Sequence, residues 1–221
     1  MTVNDNPVEL DSGPPASMAQ RAYQEIRDLL VTVRIRPGAP LSEERLTRHL
    51  GVGRTPVREA IKRLETERLV VVYPRRGAFA TAVHVADLEL LGAVRAPLEG
   101  EAAYHAARRA SRTDRELLRE LMARAQDCEP GAAAEIDFDS RVHRAIYRAA
   151  HNPYLEATLE QYYNLILRIW HVALDRLPPV TTHIAELVPL LDAVLAGDAD
   201  QARALAIDHV ATFQREVAAV L

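Results

Sequence analysis

Residues 41–70, LSEERLTRHLGVGRTPVREAIKRLETERLV, carry the strongest structural signals of the N-terminal part of the chain. Ser42 is a good N-cap for a short helix, and Gly51 is suited to end that helix. Thr55 and Pro56 favour the start of the next helix, because Thr can cap and Pro suits the first helical position. A short helix, a tight turn and a longer amphipathic helix together predict a helix-turn-helix motif.

The segments on either side of this motif extend it to a winged helix. Apolar residues at helical spacing before it predict a first helix over about 17–34. After it, VVVY at 70–73 and AFATAV at 78–83 favour two strands, with PRRG as the turn between them. Three helices followed by a β-hairpin predict a winged helix-turn-helix DNA-binding domain over 17–82.

The remainder, residues 83–221, is helical by composition and is rich in Ala, Leu, Arg and Glu. About six helices are too many for isolated rods in solvent, so we expect them to pack as a bundle. The fold class is therefore mainly α. Residues 1–16 lack periodicity and contain Gly-Pro-Pro, so they are expected to form a disordered arm. Breaks between the helices are predicted near 111–113, 128–131, 151–153, 177–180 and 197.

The charge is unevenly distributed along the chain. Residues 1–16 carry three acidic residues and no basic one, residues 17–80 carry 13 basic and 7 acidic residues, and residues 81–221 carry 14 basic and 21 acidic residues. These segments have net charges of −3, +6 and −7, which make up the formal net charge of −4. A basic segment joined to an acidic one indicates two domains with different partners. The partner expected for the basic domain is a polyanion.

Other features of the sequence exclude several classes of protein. The single cysteine, Cys128, excludes a disulfide scaffold and a Cys-rich zinc finger. No apolar run approaches the roughly 20 residues of a membrane span. The N-terminus has neither the basic nor the apolar region of a signal peptide. We therefore expect a soluble, cytoplasmic protein without a membrane partner.

Candidate DNA contacts cluster at the start of the second helix of the motif and at the hairpin tip. Arginine is suited to bidentate contact with guanine, and helix N-termini favour phosphate. A single arginine here could equally be a solvated surface residue, but the whole constellation favours double-stranded DNA. The residues expected to contact it are Arg45, Arg54, Thr55, Arg58, Arg63, Arg75 and Arg76.

A metal site is the second candidate. Asp139 and His143 are four residues apart on a predicted helix, so both project from one face and could hold a divalent ion with ligands from other helices. His183 and His209 lie on the last two predicted helices. A hydrogen-bonded core pair remains the alternative for Asp139 and His143.

Two regions of the chain resemble known families. GVGRTPVREAIKRLE followed by PRRGAFA resembles the winged-helix domain of GntR-family transcription regulators, except that Arg68 stands where relatives commonly have Gly. VRAPLEGEAAYHAA, DFDSRVHRAIYRAAHNPYL and LLDAVLAGDADQARALAIDHV resemble the FadR-type C-terminal (FCD) domain of the FadR-like branch. This second resemblance implies an effector module of six or seven helices.

The FCD resemblance implies specific site residues. Many members hold a divalent ion, here zinc, nickel or manganese, through an Asp and three His, of which Asp139, His143 and His209 match three positions. Leu187 occupies the fourth position, and His183 stands one turn before it. His183 could replace that ligand, three ligands could act with water, or the site could be lost in favour of a more apolar effector. Arg95 matches an arginine that faces the effector cavity.

Together the resemblances imply a ligand-responsive transcription regulator, not an enzyme. Such a protein would bind a palindromic operator as a homodimer, and most relatives repress until a small organic-acid effector arrives. Two other functions remain open: a helical metallohydrolase with a DNA-binding appendage, and a constitutive architectural DNA-binding protein. No residue stands out as a general base beside the proposed ligands, which disfavours the hydrolase.

Overall fold

The computed structural model describes residues 17–84, 86–125, 132–173 and 181–220, without the side chains of 132–133, 181–183 and 219–220. The predicted disordered arm and Cys128 lie outside the described residues. The chain divides into two compact units. The first takes the chain up to Asp28 together with Pro40–Phe79, and the second takes Leu29–Ala39 and everything from Ala80 onward.

The N-terminal elements form the predicted winged helix with one additional strand. In chain order they are α1 (Met18–Val31), β1 (Pro40–Leu41), α2 (Glu43–Leu50), α3 (Arg54–Thr66), β2 (Val70–Tyr73) and β3 (Gly77–Ala80). The sheet has the order β1-β3-β2, and β1 pairs antiparallel with β3 through Pro40 opposite Phe79 and Leu41 opposite Ala78. Apolar side chains of α2 and α3, including Leu46, Val57 and Leu64, are buried.

Three local features differ from the sequence prediction. The second hairpin strand was predicted at 78–83, but β3 ends at Ala80. β1 was not predicted, because two residues that begin with proline carry too little pattern to indicate a strand. Helix α3 begins at Arg54 with Gly53 as its N-cap, so Thr55 lies inside the first turn and does not cap the helix. The turn before α3 uses the left-handed conformation at Gly51 (φ 64°), which glycine adopts without steric cost.

Arg68 closes α3 in a conformation that normally calls for glycine. Its φ is +62°, its N–H donates to the carbonyl of Glu65 (3.0 Å), and the N–H of Leu69 donates to that of Leu64 (3.0 Å). This pair of bonds is the Schellman arrangement, in which the left-handed residue is most often Gly. Arg68 therefore departs from the GntR pattern in residue type only: it adopts the left-handed conformation that glycine usually adopts at this position.

We expect Arg68→Gly to stabilise the N-terminal unit by about 0.5–1 kcal/mol, because glycine removes the steric cost of the left-handed conformation. Hydrogen–deuterium exchange of peptides from α3 and β2 should then slow by a factor of about 2–5. Arg68→Ala is the control: it removes the side chain but keeps Cβ, so it should give no such gain. Equal exchange rates in both variants would contradict the explanation.

The C-terminal unit contains six helices in the described part of the chain. They are α4 (Ala86–Arg109), α5 (Arg112–Ala125), α6 (Ala132–Ala149), α7 (Pro153–Ala173), α8 (Thr181–Ala196) and α9 (Ala199–Val220). The predicted breaks near 111–113, 151–153 and 197 lie at or within two residues of the ends of described helices, whereas those predicted near 128–131 and 177–180 lie outside the described residues. Of the described helices, none is both long and apolar enough to cross a membrane.

A buried arginine fixes the segment that follows β3. Arg168 of α7 is 1 % exposed and donates from Nη1 to the hydroxyl of Thr81 and from Nη2 to its carbonyl, both at 2.6 Å. Burial lowers the pKa of Arg168 to about 10, which still leaves the guanidinium charged near neutral pH. Arg168 therefore ties the segment that follows β3 to the C-terminal half of α7.

Candidate functional site

The first candidate site is the N-terminal end of α3. Arg54, Thr55 and Arg58 are exposed there, and the first turn contains no acidic residue. The Nε of Arg58 donates to Oε2 of Glu43 on α2 (2.8 Å), which holds this guanidinium beside the helix N-terminus. The N–H groups of a first turn and nearby arginines can together accept phosphate and read guanine.

The second part of the first candidate site is the hairpin between β2 and β3. Arg75 and Arg76 are both exposed at its tip, where Arg75 has φ +63° and Gly77 has φ +89°. The guanidinium carbon of Arg76 lies 5.7 Å from the centre of the Tyr73 ring, so that side chain is oriented along the wing. Arg45 on α2 is also exposed.

Arg63, by contrast, contacts the domain's own first helix. Its guanidinium carbon lies 3.6 Å from the centre of the Tyr23 ring, and Nη1 donates to the side chain of Gln20 (2.9 Å). Its Nε donates to Glu67 (3.1 Å), which also accepts a hydrogen bond from the Tyr23 hydroxyl. These contacts join α3 to α1.

The second candidate site is a cluster of buried polar residues inside the C-terminal unit. Asp139 and His143 lie one turn apart on α6, and His209 comes from α9. The Nε2 atoms of His143 and His209 lie 3.6 and 3.5 Å from Oδ1 of Asp139. One ligand atom from each of the three residues falls within 4.8 Å of the others. The sequence predicted the first two by helical spacing and the third by resemblance.

In each of the two imidazoles, Nε2 faces Asp139 and the other ring nitrogen, Nδ1, contacts a glutamate carboxylate. Nδ1 of His143 lies 3.1 Å from Oε2 of Glu99 on α4, and Nδ1 of His209 lies 3.2 Å from Oε2 of Glu186 on α8. A carboxylate on Nδ1 keeps a proton on that nitrogen and leaves Nε2 facing Asp139, where a metal ion would replace any proton that Nε2 carries. The proton on each Nδ1 is assigned from its contact with the glutamate carboxylate.

The sequence analysis did not single out these glutamates. Glu99 could have been noticed because it stands one helical turn after Arg95, a spacing at which opposite charges pair. Nothing in the local sequence pattern marks Glu186, because its contact joins two different helices.

Further buried contacts fix the orientation of these carboxylates. The Tyr163 hydroxyl donates to Oδ2 of Asp139, and the Tyr147 hydroxyl donates to Oε1 of Glu99. Burial, together with the neighbouring carboxylates, raises the pKa values of both tyrosines, so both remain protonated donors. Arg95 donates to the same Oε1 of Glu99 through Nη2 (2.5 Å).

The electrostatics show an excess of negative charge around the two imidazoles. Burial alone would lower the pKa of His143, but the Glu99 and Asp139 carboxylates outweigh it and raise the pKa to about 9. Burial would raise the pKa of Glu99, but His143 and Arg95 lower it to about 2. An environment that retains a proton on a buried imidazole in this way also attracts a cation.

A small void, with room for about one water molecule or ion, adjoins the cluster. Arg95, for which the FCD resemblance implies a place facing an effector cavity, lines it beside Asp139, His143 and His209. Arg95 is buried, and its Nε has no hydrogen-bond acceptor among the residues described. A buried donor without an acceptor is uncommon in proteins and is consistent with a ligand that supplies one.

The fourth predicted ligand position differs from the other three. Leu187 on α8 is fully buried and offers no ligand atom. His183 lies in the first turn of α8, but its side chain is outside the described part of the structure. The candidate metal centre therefore consists of Asp139, His143 and His209 within the part of the chain that the structure describes.

A winged helix with exposed arginines at its recognition helix, followed by an all-helical unit, is the domain pair of a DNA-binding transcription regulator. Comparison with known proteins agrees with this class. Residues 18–80 match the bacterial regulatory proteins of the gntR family, and residues 90–212 match the FCD domain. The chain belongs to the GntR family of transcription regulators and carries an FCD domain; the proteins it resembles are regulators and not enzymes.

Individual relatives extend the comparison. An Escherichia coli K12 protein, whose name assigns it to the regulation of an L-lactate dehydrogenase operon, is 28% identical over 220 residues, covering 89% of this chain and 84% of the relative. An Agrobacterium vitis HTH-type transcriptional regulator from the TAR-I ttuE-ttuC' intergenic region is 39% identical over 93 residues. That match spans 42% of this chain and about half (54%) of the relative. The structure of E. coli McbR/YncC has the same fold, with a TM-score of 0.80 at 23% identity, covering 93% of this chain and 99% of that one.

Proposed function

We propose that this protein is a homodimeric repressor that binds a palindromic operator and is released when a small carboxylate binds in its C-terminal unit. The observation that carries the effector half of this proposal is the convergence of Asp139, His143 and His209 beside a cavity that Arg95 also lines. The DNA half rests on the winged helix and on family membership.

The proposed DNA contacts divide into two groups by their surroundings. Arg54, Thr55 and Arg58 lie at the N-terminal end of α3, where a recognition helix meets base edges and phosphate. Arg45 and the wing residues Arg75 and Arg76 are exposed and are assigned to phosphate contacts. We do not assign Arg63 to DNA, because its contacts with Tyr23, Gln20 and Glu67 account for its position.

The donor set fits a divalent metal ion. Two tetrahedral ligands at about 2.0–2.1 Å from zinc are about 3.4 Å apart, close to the 3.5 and 3.6 Å measured from Asp139 Oδ1 to the two Nε2 atoms. Both imidazoles also have the carboxylate support that is usual for ligating histidines. Two nitrogens and one oxygen suit zinc, nickel or manganese.

Of the ligand arrangements that the sequence left open, we propose three protein ligands with open coordination positions. The three donors already converge, and the buried side chain of Leu187 offers none. A divalent ion held there would supply positive charge for a carboxylate ligand. Arg95 would donate to the same ligand through its buried Nε.

Regulation requires that the carboxylate effector bind two arrangements of the dimer with different affinities. A carboxylate can change operator binding only if it binds one arrangement of the dimer more tightly than the other. We propose that the effector releases the protein from the operator, and does not recruit it there, because the resemblance to the FadR-like branch implies this direction. A dimer is proposed because a two-fold protein matches a two-fold operator, and a cytoplasmic location is proposed because the operator would lie there.

The test is selection of operators from a randomised duplex library with full-length, zinc-loaded protein. We expect an inverted repeat whose half-sites are about 10 base pairs apart, and a dimer on size exclusion. Adding millimolar small carboxylates should then weaken operator binding by about tenfold or more, as measured by fluorescence anisotropy. Selection of no sequence would contradict the DNA half, and an affinity unchanged by every carboxylate would contradict the effector half.

A further inference from the structure

The C-terminal end of the recognition helix α3 is joined to α1 by a group of polar and aromatic side chains, which we call the α1–α3 clamp. It consists of Gln20 and Tyr23 on α1, Arg63 near the end of α3, and Glu67, the C-cap residue of α3. The Glu67 carboxylate accepts from Arg63 through Oε1 (3.1 Å) and from the Tyr23 hydroxyl through Oε2 (2.9 Å). The Arg63 guanidinium joins the two helices a second time, through the Tyr23 ring and Gln20.

The clamp adds directional contacts to the apolar packing of α3. Tyr23 is 5 % exposed, and burial together with the Glu67 carboxylate raises its pKa, so the hydroxyl remains a donor. The buried apolar face of α3 holds the helix on the domain, but hydrophobic burial is a non-directional force. Hydrogen bonds, in contrast, weaken steeply away from their preferred geometry. The clamp therefore constrains the tilt of α3 relative to α1.

The clamp and the candidate base contacts lie at opposite ends of α3. Arg54 begins the helix and Arg63 lies in its last turn, which places their backbones about 13 Å apart along the axis. A rotation of about 10° about the clamped end would move the N-terminal end by about 2 Å. A shift of that size would break a bidentate arginine–guanine contact, whose donor–acceptor distances must stay within about 2.7–3.2 Å.

Contacts with phosphate depend less on the orientation of α3. Attraction between an arginine and the DNA backbone acts over several ångströms and is the same for every sequence. A tilted recognition helix would therefore keep most of its affinity for random DNA while it loses affinity for the operator. Loss of sequence discrimination is the expected sign of a disturbed clamp.

We propose that the α1–α3 clamp positions α3 for sequence readout, and that Arg63, Glu67 and Tyr23 are positioning residues that do not touch DNA. This inference rests on the proposed operator binding. It goes further by placing a determinant of sequence discrimination outside the surface that contacts DNA. Arg63, which the sequence predicted as a DNA contact, acts on DNA through its contacts with α1.

The test measures the affinities of full-length variants for the selected operator and for a random duplex, by fluorescence anisotropy at several salt concentrations. Arg63→Met removes the guanidinium, and Glu67→Ala removes the carboxylate that bridges the helices. We expect each variant to lower the ratio of operator affinity to random-duplex affinity by about three- to tenfold, the loss that one or two hydrogen bonds can cause. The dependence of binding on salt should stay the same, because no phosphate contact is removed.

The effect of Glu67→Ala separates positioning from phosphate binding. If Arg63 contacted phosphate, loss of the carboxylate beside it would leave DNA binding unchanged or make it tighter. Arg63→Met would then weaken binding to operator and random duplex equally, and would reduce the slope of the salt dependence by about 1. Glu25→Ala is the matched control, because Glu25 is paired with Arg21 within α1 (2.8 Å) and the variant removes the same charge outside the clamp.

Both clamp variants are expected to fold. The side chain of Arg63 is half exposed, and ion pairs that solvent reaches contribute little to stability. Far-UV circular dichroism checks the fold. Stoichiometric titration with operator gives the fraction of active protein, so that a loss of folded protein is not read as a loss of affinity.

The outcomes separate this inference from the proposed function. Lower discrimination in Arg63→Met and Glu67→Ala, with unchanged salt dependence and an unaffected Glu25→Ala, would support it. Equal losses on operator and random duplex in Arg63→Met, with no loss in Glu67→Ala, would overturn it and make Arg63 a phosphate contact. Unchanged discrimination in both clamp variants would also overturn it while leaving operator binding intact. Failure of the unchanged protein to select any operator would overturn the DNA half of the proposed function, and the clamp's role with it.

Discussion

Asp139→Ala is expected to abolish stable metal binding, so that about one divalent ion per chain in the unchanged protein falls to none. Asp139 is the residue whose Oδ1 both histidine Nε2 atoms approach, at 3.6 and 3.5 Å, and it is itself held by Tyr163. Loss of a supporting residue alone typically costs 10–100-fold in metal affinity, so loss of a ligand should cost at least about 100-fold. The measurement is elemental mass spectrometry of tag-free protein purified without chelator.

The same helix provides the control. Asp137 is exposed two residues before Asp139, so Asp137→Ala removes a carboxylate from α6 without touching the cluster and should leave the metal content unchanged. Glu186→Gln should weaken metal binding by about tenfold, because the charge that supports His209 Nδ1 is lost while the side-chain shape is kept. His183→Ala should retain the ion if three ligands suffice. Unchanged protein that takes up no zinc, nickel or manganese would contradict the metal proposal.

The candidate metal centre shows which contacts a sequence can reveal. Asp139 and His143 were accessible from the sequence because their contact is local, set by the pitch of one helix. The Glu186–His209 pair was not, because it depends on how α8 packs against α9, which no local pattern encodes. His209 was identified only through the spacing in the FCD resemblance. Sequence patterns thus indicated the candidate ligands more readily than the residues that orient them.

The winged helix was predicted almost completely, for a related reason. Its helix ends and its hairpin turn depend on local signals, such as the left-handed glycine at position 51 and the turn at 74–77. The errors were β1, the N-cap of α3 and the end of the second hairpin strand, which stops at Ala80. β1 exists because Pro40 and Leu41 pair with β3, far along the chain. Gly53 caps α3 without a side-chain hydrogen bond, so it leaves no polar signature in the sequence.

The DNA-binding proposal makes an equally large prediction: the double variant Arg54→Ala, Arg58→Ala should weaken operator binding by at least about 100-fold. Each residue lies at the N-terminal end of α3, and one bidentate arginine–guanine contact contributes about 1–3 kcal/mol. The measurement is fluorescence anisotropy on the selected operator at several salt concentrations. Arg112→Ala is the matched control, because Arg112 is an exposed arginine paired with a glutamate on α5, as Arg58 is paired with Glu43.

A lysine variant separates base recognition from simple charge. Arg58→Lys keeps the positive charge near the helix N-terminus but cannot form the bidentate contact with guanine. If Arg58 reads a base, this variant should lose discrimination between operator and random duplex while keeping nearly the same dependence on salt. If it contacts only phosphate, lysine should restore both affinity and discrimination. If lysine is sufficient, Arg54 and Thr55 would be the residues that read the sequence. Arg58, which is held by Glu43, would then only orient α3 on the duplex.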